Sequence, residues 1–266
     1  MNFLFSVEGE AALQRLSERR ALYAFDFDGT LAPIVALPDD ARTAPGVLRP
    51  LAALREFAPV AILTGRSVAD LGARLGFTPD YLIGNHGAEG LPQSQGGDAA
   101  NRAACDRWRA QLHDAIAAQG LDSGIFIEDK TYSLSVHYRL ARDRDAAEQA
   151  ISAVLAALDP PPRLIGGKCV FNLLPDGAPD KGQALAALVA AERCDAAFYI
   201  GDDETDETVF YGAPDNWLTV RVGYSDASGA RFFLHHQGEV AACVQRLVKL
   251  LQITGDSERG RRTATP

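Results

Sequence analysis

The stretch Tyr23-Ala24-Phe25-Asp26-Phe27-Asp28-Gly29-Thr30 sets two aspartates, one residue apart, at the end of an apolar run. Residues i and i+2 of an extended chain point the same way, so Asp26 and Asp28 aim two negative groups at one spot. Carboxylates are costly to bury without a partner. The pair therefore calls for a cation beside it, or for a proton on one member. The Asp28-Gly29 step also fits a plain turn after a strand. Three further segments carry reactive side chains: Thr64-Gly65-Arg66, Lys181 in Asp180-Lys181-Gly182, and Gly201 to Glu207 with Asp202, Asp203, Glu204, Asp206 and Glu207. Thr64 and Arg66 could simply start a helix, and the acids could be an N-cap and first turn, which the helix dipole favours. Lys181 is harder to dismiss, because a helix N-terminus disfavours a cation. A bound phosphate would relieve that conflict and use the free backbone N–H groups. Acids packed near Asp26 and Asp28 repel unless a hard cation intervenes, and carboxylate oxygens with few His or Cys nearby suit Mg²⁺. Carboxylates around Mg²⁺, one hydroxyl and one ammonium are the parts for phosphoryl transfer.

For these segments to meet, each must lie at the same edge of one sheet. The text from Ala21 to about Gly90 alternates short apolar strands (Ala21–Phe27, Pro59–Gly65, Tyr81–Gly84) with helical runs, near Pro45–Phe57 and from Ser67, where Ser67 and Asp70 form a capping-box pattern. The alternation resumes from Asp180, with strands at Ala196–Asp202 and Trp217–Val222 and helices at Lys181–Arg193, Glu207–Gly212 and Glu239–Leu251. Alternating β and α with apolar strands implies an α/β fold, a Rossmann-like parallel sheet covered by helices. Ligands bind such sheets outside the carboxyl ends of the strands, where all four segments fall. Between the halves the pattern changes. A helix from Asn101 to Gln119 precedes strands at Gly124–Lys130 and Tyr132–Arg139; a helix from Arg144 to Leu158 precedes strands at Arg163–Gly167 and Cys169–Leu174. Helix-strand-strand, repeated twice, reads as an inserted α+β unit with an antiparallel sheet. The expected boundaries are 1–95 and 177–254 for the core, 96–176 for the insertion and 255–266 for a flexible tail. Alternation puts Leu134, Val136 and Tyr138 on one face and Ser133, Ser135, His137 and Arg139 on the other, and sets Glu128, Lys168 and Asn172 on polar faces. With helices on the apolar face, the polar face should stay open.

Composition narrows the partners. A formal net charge of -9 argues against nucleic acid or an anionic membrane, and no apolar stretch reaches membrane-spanning length. Cys105, Cys169, Cys194 and Cys243 form no C-x-x-C pair, which points to reduced thiols rather than zinc or disulfides. The N-terminus lacks a basic leader and turns acidic at Glu8, so a cytoplasmic protein is expected. No obligate protein partner is implied. P-loop, dinucleotide-fingerprint and serine-elbow patterns are absent.

In this order, Asp26–Thr30 ("DFDGT"), Leu63–Arg66 ("LTGR"), Asp180–Gly182 ("DKG") and Gly201–Asp206 ("GDDETD") resemble the four motifs of the haloacid dehalogenase superfamily. The insertion is similar to the sheet-type cap of its sugar-phosphatase branch. Within that branch "DFDGTLAPI", "NHGAE", "EDKTYSLSVHYR", "GGKCV" and "GDDETDE" resemble the trehalose-6-phosphate phosphatase family. The resemblance implies that Asp26 is a nucleophile forming an aspartyl-phosphate and Asp28 the general acid and base. It implies that Thr64 and Lys181 hold the phosphoryl group, and that Asp26, the Asp28 carbonyl and Asp202 bind Mg²⁺ with support from Asp203 and Asp206. Arg66, Glu128, Lys130, Arg139, Lys168 and Asn172 match substrate-binding positions. Asn172 stands where the family has a glutamate. A phosphatase for sucrose phosphate or mannosylglycerate phosphate fits the same residues. A silent sugar-phosphate-binding member of the fold is a further alternative, against which the complete Asp26, Asp28, Lys181 and Asp202 set speaks.

Overall fold

The computed structural model describes residues 1–35, 37–92, 97–119, 124–167 and 169–263. The chain opens with β1 (Asn2–Phe3), α1 (Val7–Ser17) and β2 (Ala21–Phe25), then α2 (Pro45–Leu54), β3 (Val60–Leu63), α3 (Val68–Leu75) and β4 (Tyr81–Ile83). Next come α4 (Gly97–Gln119), β5 (Phe126–Asp129), β6 (Leu134–His137), α5 (Arg144–Leu155), β7 (Arg163–Gly167) and β8 (Val170–Leu174). It closes with α6 (Lys181–Ala191), β9 (Ala196–Gly201), α7 (Glu207–Gly212), β10 (Trp217–Val222), β11 (Phe232–Leu234) and α8 (Val240–Thr263). Two compact units result: Met1–Gly87 with Asp180–Pro266, and Ala88–Pro179.

The first unit holds a seven-stranded sheet in the order β1-β11-β10-β9-β2-β3-β4, with every pairing parallel. From β2 the chain winds outward through β3 and β4; from β9 it winds the other way through β10 and β11. The boundary between β2 and β9 is therefore the topological switch point, where parallel sheets open a crevice. Tyr23, Phe25, Ile62, Phe198 and Ile200 are fully buried there, and burying each of the Phe and Ile side chains stabilises by roughly 1.5–3 kcal/mol. α3 starts at Ser67, whose Oγ accepts from Asp70 N at 3.2 Å. Asp70 does not complete the box, because its carboxylate goes to Arg66 and Arg74.

Three elements at the sheet's far edge go beyond the sequence reading. Ser6 caps α1 through Gly9 N at 3.3 Å, and β1 and β11 pair with each other, Asn2 opposite Phe232. At the other end of the chain α8 runs to Thr263, into the segment expected to be a tail.

The second unit is a four-stranded sheet in the order β5-β6-β8-β7, antiparallel throughout. Trp108 and Leu112 of α4, with Ile151, Val154 and Leu155 of α5, pack onto Leu134, Val136 and Leu173. The Trp108 indole N–H donates to the Pro160 carbonyl at 2.5 Å, so its one polar atom is satisfied. On the other face Glu128, Ser135, Asn172 and Ile165 form one row across the strands. This face is not open at its middle: Ser133 is 1% exposed and Ser135 fully buried. Ser135 spends its hydroxyl on Asn172 Oδ1 at 2.6 Å. Among the described residues no helix is long and apolar enough to cross a membrane, and all four cysteines are free thiols.

Candidate active site

Two neighbouring strands deliver the central carboxylates together. Phe25 and Ile200 are register partners, and Asp26 N donates to the Ile200 carbonyl at 2.9 Å, so Asp26 leaves β2 as Asp202 leaves β9. The turn after β2 runs against Asp202: Gly29 has φ 81°, and a Cβ on it would lie 2.0 Å from Asp202 Oδ2. Only glycine combines that dihedral with that approach. Lys181 enters at the start of α6. Its N-terminus is fixed by a capping box in which Asp180 accepts from Gln183 N at 2.8 Å and Gln183 accepts from Asp180 N at 3.0 Å. The ammonium donates to Asp26 Oδ1 and Asp206 Oδ1, each at 2.7 Å. The cation that looked misplaced at a helix N-terminus thus neutralises buried carboxylates. Tyr199 on β9, which sequence reading did not single out, donates its hydroxyl to Asp206 Oδ1 at 2.6 Å. Asp203 is exposed, and it supports Asp206 through its backbone N–H, 3.0 Å from Oδ2.

Asp26, Asp202 and Asp206 each bring an oxygen within 4.8 Å of the others. One ammonium faces three carboxylates, so negative charge is in excess. Burial pushes Asp26 well above the ordinary carboxylate range; Lys181 opposes this, and Asp206 and Asp202 add to it. Burial, then the charges of Asp206 and Asp203, raise Asp202 to about 7. Burial works against the charge of Lys181, but Asp206 and Asp26 hold it well above the usual lysine value. Both oxygens of Asp206 are engaged, whereas Asp202 Oδ1 is buried with no hydrogen-bond partner. Unpartnered buried carboxylate oxygen beside excess negative charge is a donor set that fits a divalent, oxygen-seeking cation such as Mg²⁺.

The Asp28 carboxylate lies outside this triad. Arg66 Nε donates to Asp28 Oδ2 and Nη2 to Oδ1, both at 2.7 Å, and Nη1 reaches Asp70 Oδ2 at 2.8 Å. Burial opposes the Arg66 charge, yet the bonds and charges of Asp28, then Asp70, hold its pKa above the usual value. Beside it Thr64 is 1% exposed and its Oγ1 accepts from Arg66 N at 3.2 Å. A turn at Asn85–Gly87 laces this loop from behind, Asn85 N to the Arg66 carbonyl at 2.8 Å and His86 N to the Thr64 carbonyl at 2.9 Å. Asn85 and His86 take φ of 50° and 58°, a left-handed conformation that costs on the order of 1 kcal/mol or more each and clusters at functional sites. The motif "NHGAE" marked this turn in the sequence without giving it a task.

A profile of the trehalose-phosphatase family matches residues 24–217, from within β2 to the start of β10. The chain belongs to the trehalose-phosphatase family. A trehalose-phosphate phosphatase of Mycobacterium marinum is 33% identical over 256 residues, covering 90% of this chain and 64% of that protein. The chain thus spans about 64% of the length of such curated relatives. Among solved structures, a trehalose-6-phosphate phosphatase related protein matches with a TM-score of 0.71 at 24% identity, covering 86% of this chain and 98% of that one. The C-terminal domain of the C. albicans trehalose-6-phosphate phosphatase matches with a TM-score of 0.68 at 23% identity, covering 90% and 96%. The fold is the one these solved structures share, a parallel α/β core with an inserted α+β unit.

The remaining positions expected from the trehalose-phosphatase family lie in the second unit. Glu128 Oε2 sits 2.8 Å from His137 Nε2 and 3.7 Å from Lys130 Nζ. His137 was placed on the polar face by alternation but given no role. Arg139 is exposed. Asn172 accepts from Ser135 and donates to the Ile165 carbonyl at 3.4 Å, so its amide serves the sheet. Lys168 lies outside the described residues.

Proposed function

We propose that this chain is a Mg²⁺-dependent phosphatase that hydrolyses trehalose 6-phosphate to trehalose and phosphate, the last step of trehalose biosynthesis. The observation that carries the reading is Asp26 at the switch point, paired with buried Lys181 beside the unpartnered carboxylate oxygen of Asp202. Membership of the family supports the substrate class. An oxygen of Asp26 attacks phosphorus, the bond from phosphorus to the sugar oxygen breaks, and that oxygen takes a proton from Asp28. Water then gives a proton to Asp28 and attacks phosphorus, and the bond to Asp26 breaks, which restores both residues. Lys181 has three N–H donors, of which two go to Asp26 and Asp206; the third, with the Thr64 hydroxyl, is assigned to the phosphoryl oxygens. A divalent cation bound by Asp26, the Asp28 carbonyl and Asp202 would supply positive charge to those oxygens. Asp206, with Tyr199 and the Asp203 N–H, keeps Lys181 and the carboxylates in register. Sugar contacts are assigned to the inserted unit, at Glu128, Lys130, Arg139, Lys168 and Asn172. Four free thiols fit a reducing, cytoplasmic setting.

A phosphate-release screen over sugar monophosphates tests this. Trehalose 6-phosphate should be the preferred substrate, EDTA should stop release, and Mg²⁺ should restore it. Asp26→Asn should release none while keeping the wild-type circular dichroism. Preference for another sugar phosphate would move the substrate, and full activity in Asp26→Asn would end the reading.

A further inference from the structure

We propose that Arg66 is a positioning residue that sets the orientation of the Asp28 carboxylate, and not a contact to the substrate. The inference rests on the reading of Asp28 as acid and base. Sequence resemblance put Arg66 against the substrate, but the structure commits its guanidinium elsewhere. All three nitrogens bond to carboxylates: Nε and Nη2 grip both oxygens of Asp28, and Nη1 grips Asp70. Such a planar fork fixes a carboxylate in angle as well as distance. The fork itself is held at every side. Asp70 is shared with Arg74, whose Nε is 2.8 Å from Asp70 Oδ1 and whose Nη2 reaches Asp39 Oδ1 at 2.8 Å. The Arg66 guanidinium lies 5.7 Å from the centre of the Phe27 ring, between the two reactive aspartates in sequence. Its backbone is tied at N by Thr64 Oγ1 and at its carbonyl by Asn85 N. Arg66 has a side-chain exposure of 13%.

Asp28 is the opposite case. Its side chain is 39% exposed, and among the described residues Arg66 is the one side chain that hydrogen-bonds its carboxylate. Without the fork, rotation of Asp28 about its side-chain torsions meets no other hydrogen-bonded restraint among the described residues. The residue that must meet a leaving oxygen and then a water is thus loose by itself and stiff through its neighbour. Misplacing a reacting group by about 1 Å can cost ~10²-fold in rate, which sets the scale of the effect.

Three substrates separate this role from the alternatives: the sugar phosphate, a small alkyl phosphate with an equally poor leaving group and no sugar, and nitrophenyl phosphate, whose leaving group needs no proton. Arg66→Lys keeps the charge and removes the fork. In this variant kcat/KM should fall by ~10²-fold on both the sugar and the alkyl phosphate, and far less on nitrophenyl phosphate. Asp28→Asn should show the same pattern, and Asp28→Asn with Arg66→Lys should be no worse than Asp28→Asn alone. A loss confined to the sugar phosphate would make Arg66 a sugar contact and overturn the proposal. Equal loss on all three, or multiplying losses in the double variant, would overturn it as well. If instead Asp28→Asn shows no leaving-group pattern, it is the reading of Asp28 that fails. Arg66→Met, which removes the charge too, should reproduce the pattern if Arg66→Lys folds poorly.

Discussion

At the scale of single residues, the site is governed by an excess of negative charge that one lysine cannot balance. Asp26, Thr64, Lys181 and Asp202 were legible in the sequence because each sits where an apolar strand ends or a helix begins, and the fold gathers those positions. The partners of Arg66 were not legible: a long side chain can reach several acids, and only the turn geometry brings it to Asp28 and Asp70. Tyr199 was hidden because a tyrosine inside an apolar strand looks like core until its hydroxyl partner is known. The charge excess has a measurable consequence. With burial first and Asp206 and Asp203 next, the Asp202 pKa stands at about 7 in the fold, against an ordinary 3.8. Between those values the folded chain keeps a proton that the unfolded chain has lost, so stability is highest below the window and falls as pH rises through it. Asp26 shifts in the same direction. The melting temperature of chelated protein should therefore decline from about pH 4 to pH 7. Mg²⁺ should flatten the decline by favouring the ionised form, and Asp202→Asn should remove part of it without metal. A flat profile in the chelated wild type would show that the carboxylates do not strain one another.

Elements differ in how plainly the sequence announces them. β2, β3 and β9 are continuous apolar runs with a helix after each, and Ser67 caps the one after β3, so the alternation and the parallel sheet could be read directly, but the strand order and the switch point could not. β1 and β11 have two and three residues, too short for any alternation, and they exist because β11 pairs with β10 on one side and with β1 on the other. In the inserted unit the period of two gave the right rows but not their exposure. Ser133, just before β6, and Ser135 on it are buried, and the Ser135 hydroxyl finds its partner across the strands in Asn172. α6 has a larger duty than its length implies, since its first residue is Lys181. The capping box at Asp180 holds that first turn in place. Asp180→Ala should cost about 1 kcal/mol of unfolding free energy, read as a lower urea midpoint with an unchanged slope. An unaltered midpoint would mean that packing of Leu185 and Leu188 fixes the helix start without the cap.

For the molecule as a whole, the proposed function asks a chain of net charge -9 to take a dianionic phosphate ester. Lys181 and Arg66 do not offset that field, because carboxylates already hold them. On that proposal the positive charge for the phosphoryl group comes largely from a bound cation, and selectivity for the sugar from groups outside the charge cluster. The proposed function gives that task to the row on β5, β6 and β8, and Glu128 is its charged member. A carboxylate accepts from sugar hydroxyls, and a hydrogen bond to a charged group contributes roughly 1.5–3 kcal/mol, which corresponds to about 10- to 10²-fold in kcat/KM. Glu128→Ala should therefore depress kcat/KM for trehalose 6-phosphate by that range while leaving nitrophenyl phosphate, which has no hydroxyls to offer, nearly untouched. The side chain is 42% exposed and its partners include His137 and Lys130, and exposed ion pairs contribute little, so stability should change little. Equal losses on both substrates in a folded variant would take substrate selection away from this row. No loss on either would show that the sugar is read elsewhere, and Lys130→Ala and Arg139→Ala, scored by the same ratio of substrates, would then find where.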